Sequence, residues 1–240
     1  MSQSSSVVRA LAPHLAPARA LVAIVVLSSM VGWIGCASGP PPSPTELGWQ
    51  AVAARDWIAA RTHFEAALRA DAANGSAWHG RAEALLGARD AEGALKSLGR
   101  LAKVDPDRFR GEAAETHGNV LAASTRSRLD RDQPAAALQA ARALARLEPR
   151  RRGLSGLLGD ALVAAGDALR LEGRRDDALA LLEEATRVLP GRLEGWIGAA
   201  EILLEKRDGK RAIRLLESAR RTHPTAGQIR SLTLQAMQFR

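Results

Sequence analysis

The sequence predicts an all-α fold, a solenoid of about five helix pairs closed by one further helix. Three observations predict it. Helix stops at Ala72, Pro106, Pro149, Pro190 and Pro224 recur at intervals of 34, 43, 41 and 34 residues. Twelve positions before each stop stands an alanine: Ala60, Ala94, Ala137, Ala178 and Ala212. Beyond the first 35 residues no run of alternating β-branched residues bounded by turns suggests a strand.

Two more columns keep the same phase. Eight residues before the stop come Phe64, Leu98, Ala141, Leu182 and Leu216, and five before it Ala67, Leu101, Leu144, Ala185 and Ala219. Spacings of four and three residues put all three columns on one helix face. The segment Gly173 to Pro190 shows one such helix whole: a turn at Gly173, Arg174 and Arg175, an N-cap expected at Asp176, an apolar face, and a proline stop.

In its order of aromatic, small, bulky, small, bulky and proline, the fifth unit (Trp196, Ala199, Ala200, Leu203, Ala212, Leu216, Pro224) resembles a tetratricopeptide repeat, whose period is 34 residues. Trp78 opens the second unit in the same way. The resemblance runs from Thr45 to the C-terminus and implies a right-handed superhelix. The tyrosine usual in the first helix of that family is replaced by Ala51, Leu85, Arg128, Leu169 and Leu203, and the chain has no tyrosine.

The elements follow in chain order. Residues 1–35 read as a targeting leader: Arg9 and Arg19 precede an apolar run from Ala20 to Ile34, too short for a comfortable membrane span. The run ends in Trp33-Ile34-Gly35-Cys36, which resembles a bacterial lipoprotein cleavage box, with the bulky Trp33 where leucine is usual. The resemblance implies that Cys36, the chain's single cysteine, is lipidated and becomes the mature N-terminus. By the same resemblance, Ala37 in place of aspartate directs the protein to the outer membrane, facing the periplasm; if the leader stays uncleaved, the anchor lies in the inner membrane. Residues 36–44, rich in proline, form a semi-rigid spacer expected to stay out of any helix.

Repeat units are expected at 45–74, 75–108, 109–151, 152–192 and 193–224, with a capping helix in 225–240. The first has helices near Glu46–Ala54 and Trp57–Ala70. The nine and seven extra residues of the third and fourth units are expected to lengthen their first helices, the third running from Arg110 to about Arg131. The end, Gln228 to Phe239, reads as an amphipathic helix covering the last apolar face, as a solenoid terminus requires.

Composition excludes several function classes. The five histidines, His14, His63, His79, His117 and His223, stand singly; His79 and Glu83 are one helical turn apart, but two ligands do not make a metal site. No glycine-rich phosphate loop or nucleophile arrangement is readable, so the chain is expected to be no enzyme and to take no cofactor, metal or small-molecule substrate. The net charge is +8 and falls to +6 without residues 1–35, which carry two arginines and no acid. Asp56, Asp90, Asp132, Asp176 and Asp208 interleave with arginines in the turns inside each unit, which argues for a solvated edge and against a nucleic-acid surface.

What remains is the groove that, in the family resembled, is lined by the first helix of each unit and receives a peptide. Carrying the phase across gives Trp49, His79, Glu83, Asn119, Arg126, Asp167, Arg170, Ile197 and Glu201 as lining residues. The implied function is a scaffold or assembly factor in the cell envelope that binds a protein or peptide partner and holds the membrane by lipid. Outer-membrane lipoproteins with such arrays include type IV pilus pilotins and barrel-assembly lipoproteins; the alternatives are an adaptor for peptidoglycan enzymes and an inner-membrane, chaperone-like protein.

Overall fold

A computed structural model describes residues 40–239. The leader, Cys36 and the first part of the spacer lie outside the described residues. Among the described residues there are twelve α-helices, one 3-10 turn and no strand.

The first unit pairs α1 (Pro44–Ala53) with α2 (Trp57–Ala70), and the second pairs α3 (Gly75–Gly87) with α4 (Ala91–Val104). The third holds a short α5 (Pro106–Arg110), then α6 (Ala114–Asp130) and α7 (Pro134–Leu147). The fourth pairs α8 (Leu154–Leu171) with α9 (Arg175–Val188), and the fifth pairs α10 (Leu193–Glu205) with α11 (Gly209–Thr222). Helix α12 (Gly227–Ala236) and a 3-10 turn (Met237–Phe239) finish the chain.

All fifteen residues of the three sequence columns are buried, and the five alanines are wholly inaccessible. A small residue there lets the two helices of a unit approach closely, and the bulky residue one turn later fills the space between units; each buried Leu contributes about 1.5–3 kcal/mol. Helices pack on their chain neighbours, and the first helices of successive units also touch. At the first joint the fit is specific. Phe64 lies between Gly48 of α1 and Gly80 of α3: a Cβ on Gly48 would come within 2.5 Å of the ring, and one on Gly80 closer still.

Each pair turns through the same device. The left-handed conformation is taken by Arg55 (φ 58°), Arg89 (φ 64°), Asp132 (φ 55°), Gly173 (φ 80°) and Arg207 (φ 56°). In every case the N–H of that residue reaches the carbonyl three residues back, and the next N–H the carbonyl five back, as in Asp90 to Leu85 at 2.8 Å. This is the Schellman closure of a helix C-terminus. The five outer acceptors, Ala51, Leu85, Arg128, Leu169 and Leu203, are the residues standing where the family has tyrosine. The following residue caps the second helix where it is aspartate: Asp56, Asp90 and Asp208 accept from the backbone N–H three residues on at 3.0, 2.8 and 3.0 Å.

Four expectations are corrected. Asp176 is not an N-cap: the register of the turn puts Arg174 in that slot, and Asp176 sits in the first turn of α9, bonded to Lys206. Pro44 does join a helix, because proline fits the first helical position and Ser43 caps α1 in a capping box with Glu46. The first helix of the third unit does not begin at Arg110. The chain breaks at Gly111, whose N–H still closes on Asp107, and α6 starts at Ala114. The inserted residues therefore do not all lengthen first helices: α6 and α8 have 17 and 18 residues against 13 in α3 and α10, and the remainder extends the connections before them. The capping helix is α-helical only over Gly227–Ala236 and tightens to the 3-10 turn at Met237.

Candidate functional site

Because the left-handed turn fixes where each first helix ends, residues can be aligned by counting back from it. Trp49, Glu83, Arg126, Asp167 and Glu201 then occupy one equivalent position in the five units, six residues before the left-handed residue. They form a row along α1, α3, α6, α8 and α10. Asn119 of α6 lies near the start of its helix, and His79 and Ile197 share a second equivalent position.

Several members reach the first helix of the next unit. The Trp49 indole N–H donates to the Ser76 hydroxyl at 3.0 Å, and its ring meets the edge of the His79 ring at a centroid distance of 5.3 Å. His79 is buried, 6% exposed, so it lies beneath the surface it was expected to line. The Thr116 hydroxyl donates to Glu83 Oε1 at 2.8 Å, and Thr116 Oγ1 lies 3.0 Å from His79 Nε2. With that hydroxyl proton committed to the carboxylate, His79 Nε2 is the donor to Thr116. Nδ1 has no partner within the protein. The Glu83 carboxyl is held below its ordinary range chiefly by His79, with burial opposing and Thr116 assisting.

At the other end, Arg170 Nη1 donates to Glu201 Oε2 at 2.9 Å, joining α8 to α10. Its Nε is buried without a hydrogen bond, 3.9 Å from Asp167 Oδ1. Burial pushes the Asp167 carboxyl up, against the pull of Arg170 and with the push of Glu194. Between these ends, Asn119 Oδ1 accepts from Arg151 Nη2 at 2.6 Å, Arg126 is exposed, and Ile197 is half-buried.

The structure thus joins Trp49, His79 and Glu83 in one cluster and Asp167, Arg170 and Glu201 in a second, with Asn119 and Arg126 apart. Sequence reasoning missed Ser76, Thr116 and Arg151, which complete these contacts. Arg151 carried a signal of charge, standing in a run of three arginines, Arg150 to Arg152. Thr116 carried none, because its role depends on the register of α6 against α3.

A cleft of about 890 Å³ lies between α7 and α8 with Leu181 of α9 on its wall. Its apolar part includes Leu138, Ala168 and Leu171, and of the expected groove residues it takes only Asp167. Among the described residues there is no group of three or more histidine, cysteine or acidic side chains placed to hold a metal. None of the described helices is long and apolar enough to cross a membrane.

Tetratricopeptide repeat family models match residues 45–113 and 169–236. The unmatched stretch between them, residues 114–168, holds most of the third unit and most of the first helix of the fourth. No curated protein matches the chain in sequence. Among solved structures it is similar to MamA, at 17% identity and a TM-score of 0.41, covering 75% of this chain and 90% of that one. It is similar to YrrB, a TPR protein with an unusual peptide-binding site, at 17% identity and a TM-score of 0.41, covering 80% and 88%. A thermophilic TPR protein of Thermus thermophilus, TTC0263, shows 23% identity and a TM-score of 0.34, covering 81% and 97%. Residues 45–113 and 169–236 are therefore tetratricopeptide repeats, and the chain is an all-α solenoid of this repeat type.

Proposed function

We propose that the protein is a non-catalytic scaffold or assembly factor of the cell envelope, lipid-anchored through Cys36 at the periplasmic face of the outer membrane, which binds a partner protein along its first helices. One observation carries the binding surface: Trp49, Glu83, Arg126, Asp167 and Glu201 hold one equivalent position in the five first helices, and none of them is buried. The anchor reading is supported by the position of the single cysteine, at the exit of an apolar run and ahead of a proline-rich spacer. Tethering would raise the effective concentration of the binding face at the membrane.

The test is metabolic labelling with a fatty acid, alongside sequencing of the mature N-terminus. Labelling that disappears in Cys36→Ala, with a wild-type chain beginning at Cys36, is the expected result. Persistent labelling, or a mature N-terminus elsewhere, refutes the anchor. Trp33 favours a second reading, an uncleaved inner-membrane anchor, which membrane fractionation distinguishes. Co-purification from envelope extract with a secretin or with a peptidoglycan hydrolase separates an assembly factor from an enzyme adaptor.

A further inference from the structure

We infer that a second binding site, distinct from the row of first helices, lies beside Trp78 and takes an acidic peptide segment of a partner protein. A cleft of about 510 Å³ is lined by Trp78, Arg81, Lys96, Gly99, Arg100 and Lys103. A neighbouring hollow of about 350 Å³ shares Trp78 and Arg81 as its wall and adds Arg69 and Glu65. Five cations thus surround one indole, with a single carboxylate among them.

Charge balance marks this place. Across the later joints cations meet acids of the adjoining unit: Arg128 with Glu92 at 2.8 Å, Arg142 with Glu184 at 2.6 Å, Arg170 with Glu201 at 2.9 Å. Lys96, Arg100 and Lys103, together with Arg69, form no ion pair among the described residues. Lys96, Arg100 and Lys103 follow one another at four and three residues along α4, where like charges repel by a few tenths of a kcal/mol per pair. Lys103 in the last turn suits the helix dipole; Lys96 in the middle of the helix has no such compensation. Glu65, the nearby acid, is already shared between Arg61 at 3.8 Å and Arg81 at 3.5 Å.

The site is also built. The Trp78 indole is fixed by its N–H donating to the Ala72 carbonyl at 2.9 Å and by packing against the core of the second unit, and what remains accessible of it forms a wall of both hollows. Arg81 lies against that ring at 5.9 Å and is oriented by donating to the Ser97 hydroxyl at 2.7 Å. Its side chain is only 25% exposed, so a ligand must enter the cleft to reach it. Gly99 puts no side chain in the way: a Cβ there would meet nothing within 4 Å. A lipid surface would touch the outer lysines and miss Arg81, whereas a peptide can enter and lay an apolar side chain on Trp78. Lys96 to Lys103 spans about 10 Å of helix, which matches roughly three residues of extended chain. The ligand is therefore a segment with two or three acidic residues around one apolar residue.

Binding is read by fluorescence anisotropy of a labelled peptide made of three Glu-Glu-Leu repeats, with the full-length protein in neutral detergent. The glutamine counterpart serves as the uncharged probe. The acidic peptide should bind and weaken steeply as salt rises from about 50 to 300 mM. Lys96→Glu with Arg100→Glu should reduce affinity by about tenfold or more, with unchanged helicity. Arg146→Glu with Arg150→Glu, exposed elsewhere and equal in net charge change, should change it no more than about twofold. Equal losses in the two variants, or equal binding of the glutamine peptide, would overturn the site. Anionic phosphatidylglycerol vesicles that bind through Lys96 and Arg100 while the acidic peptide does not would overturn the ligand.

Discussion

Replacing Arg89 by glycine should stabilise the protein. Arg89 holds φ at 64° in the closure of the second unit, and a left-handed backbone costs an L-residue roughly 1–2 kcal/mol. Glycine escapes that strain but loses more freedom on folding, roughly 0.5–1 kcal/mol. The Arg89 side chain is exposed and makes no ion pair or hydrogen bond among the described residues, so its removal forfeits nothing else. The net gain is about 0.5–1 kcal/mol. Arg55 offers the same balance in the first unit, and the two sites should add, having no shared hydrogen-bond or ion-pair partner among the described residues. Arg207 should gain less, because its guanidinium lies 6.0 Å from the Phe239 ring, a contact of about 0.5–1 kcal/mol when exposed. Gly173, at φ 80°, supplies the reverse test: Gly173→Ala should cost about 1 kcal/mol. Urea unfolding followed by circular dichroism resolves these shifts, each a few tenths molar in midpoint. A lowered midpoint in Arg55→Gly and Arg89→Gly, or no change in Gly173→Ala, would refute the reasoning.

Two further predictions concern packing and pH. Gly80→Ala should destabilise by about 1–3 kcal/mol because its methyl would enter the Phe64 ring, whereas Gly99→Ala in the open face of α4 should stabilise by about 1 kcal/mol; thermal unfolding of the pair decides it, and the same sign for both would sink the packing account. The Glu92 carboxyl is held down chiefly by its bond to Arg128, so its contribution is complete above its ordinary value of 4.5 and is lost as pH falls through the folded value. Asp167, raised by burial, has the opposite sign: its protonated form favours the fold, and that contribution disappears as pH rises through its folded value. At neutral pH, Glu92→Gln should therefore lower stability and Asp167→Asn raise it, and both differences should shrink towards pH 3; a pH series of denaturant midpoints that shows no such convergence contradicts the assignment.

The second helices were readable because their spacing relative to a stop is invariant: Ala178 and Leu182 stand where Ala94 and Leu98 do, and all four are buried. The first helices of the third and fourth units were less so. An insertion can be counted from sequence, but whether its residues enter a helix or the connection before it depends on tertiary closure, such as the one at Gly111. The left-handed turns were hidden because three are arginine and one is aspartate, and only Gly173 carries the residue that signals such a backbone. For the candidate site, residue type and phase placed Trp49, Glu83, Asp167 and Glu201 in one row. Neither could show that Thr116 would stand opposite His79, since that pairing belongs to the register between units. His79 looked like a lining residue and is a buried one for that reason.

The bonds that cross between units also govern how the chain comes apart. The first joint is held by an aromatic ring seated between glycines, with one loose ion pair, Arg81 to Glu65 at 3.5 Å. The last buries Ala178, Leu179 and Leu182 against Ala199, Ile202 and Leu203 and is crossed besides by four charged contacts: Arg170 with Glu201, Arg175 with Glu205, Arg211 with Glu183, and Lys206 with Asp176. In a linear array, stability is a sum of unit terms and nearest-neighbour terms, and salt screens exposed charges while leaving apolar burial largely intact. Ionic strength therefore acts unevenly along this chain. Raising the salt should weaken the coupling of the C-terminal unit more than that of the N-terminal pair, and a thermal transition should broaden from that end first.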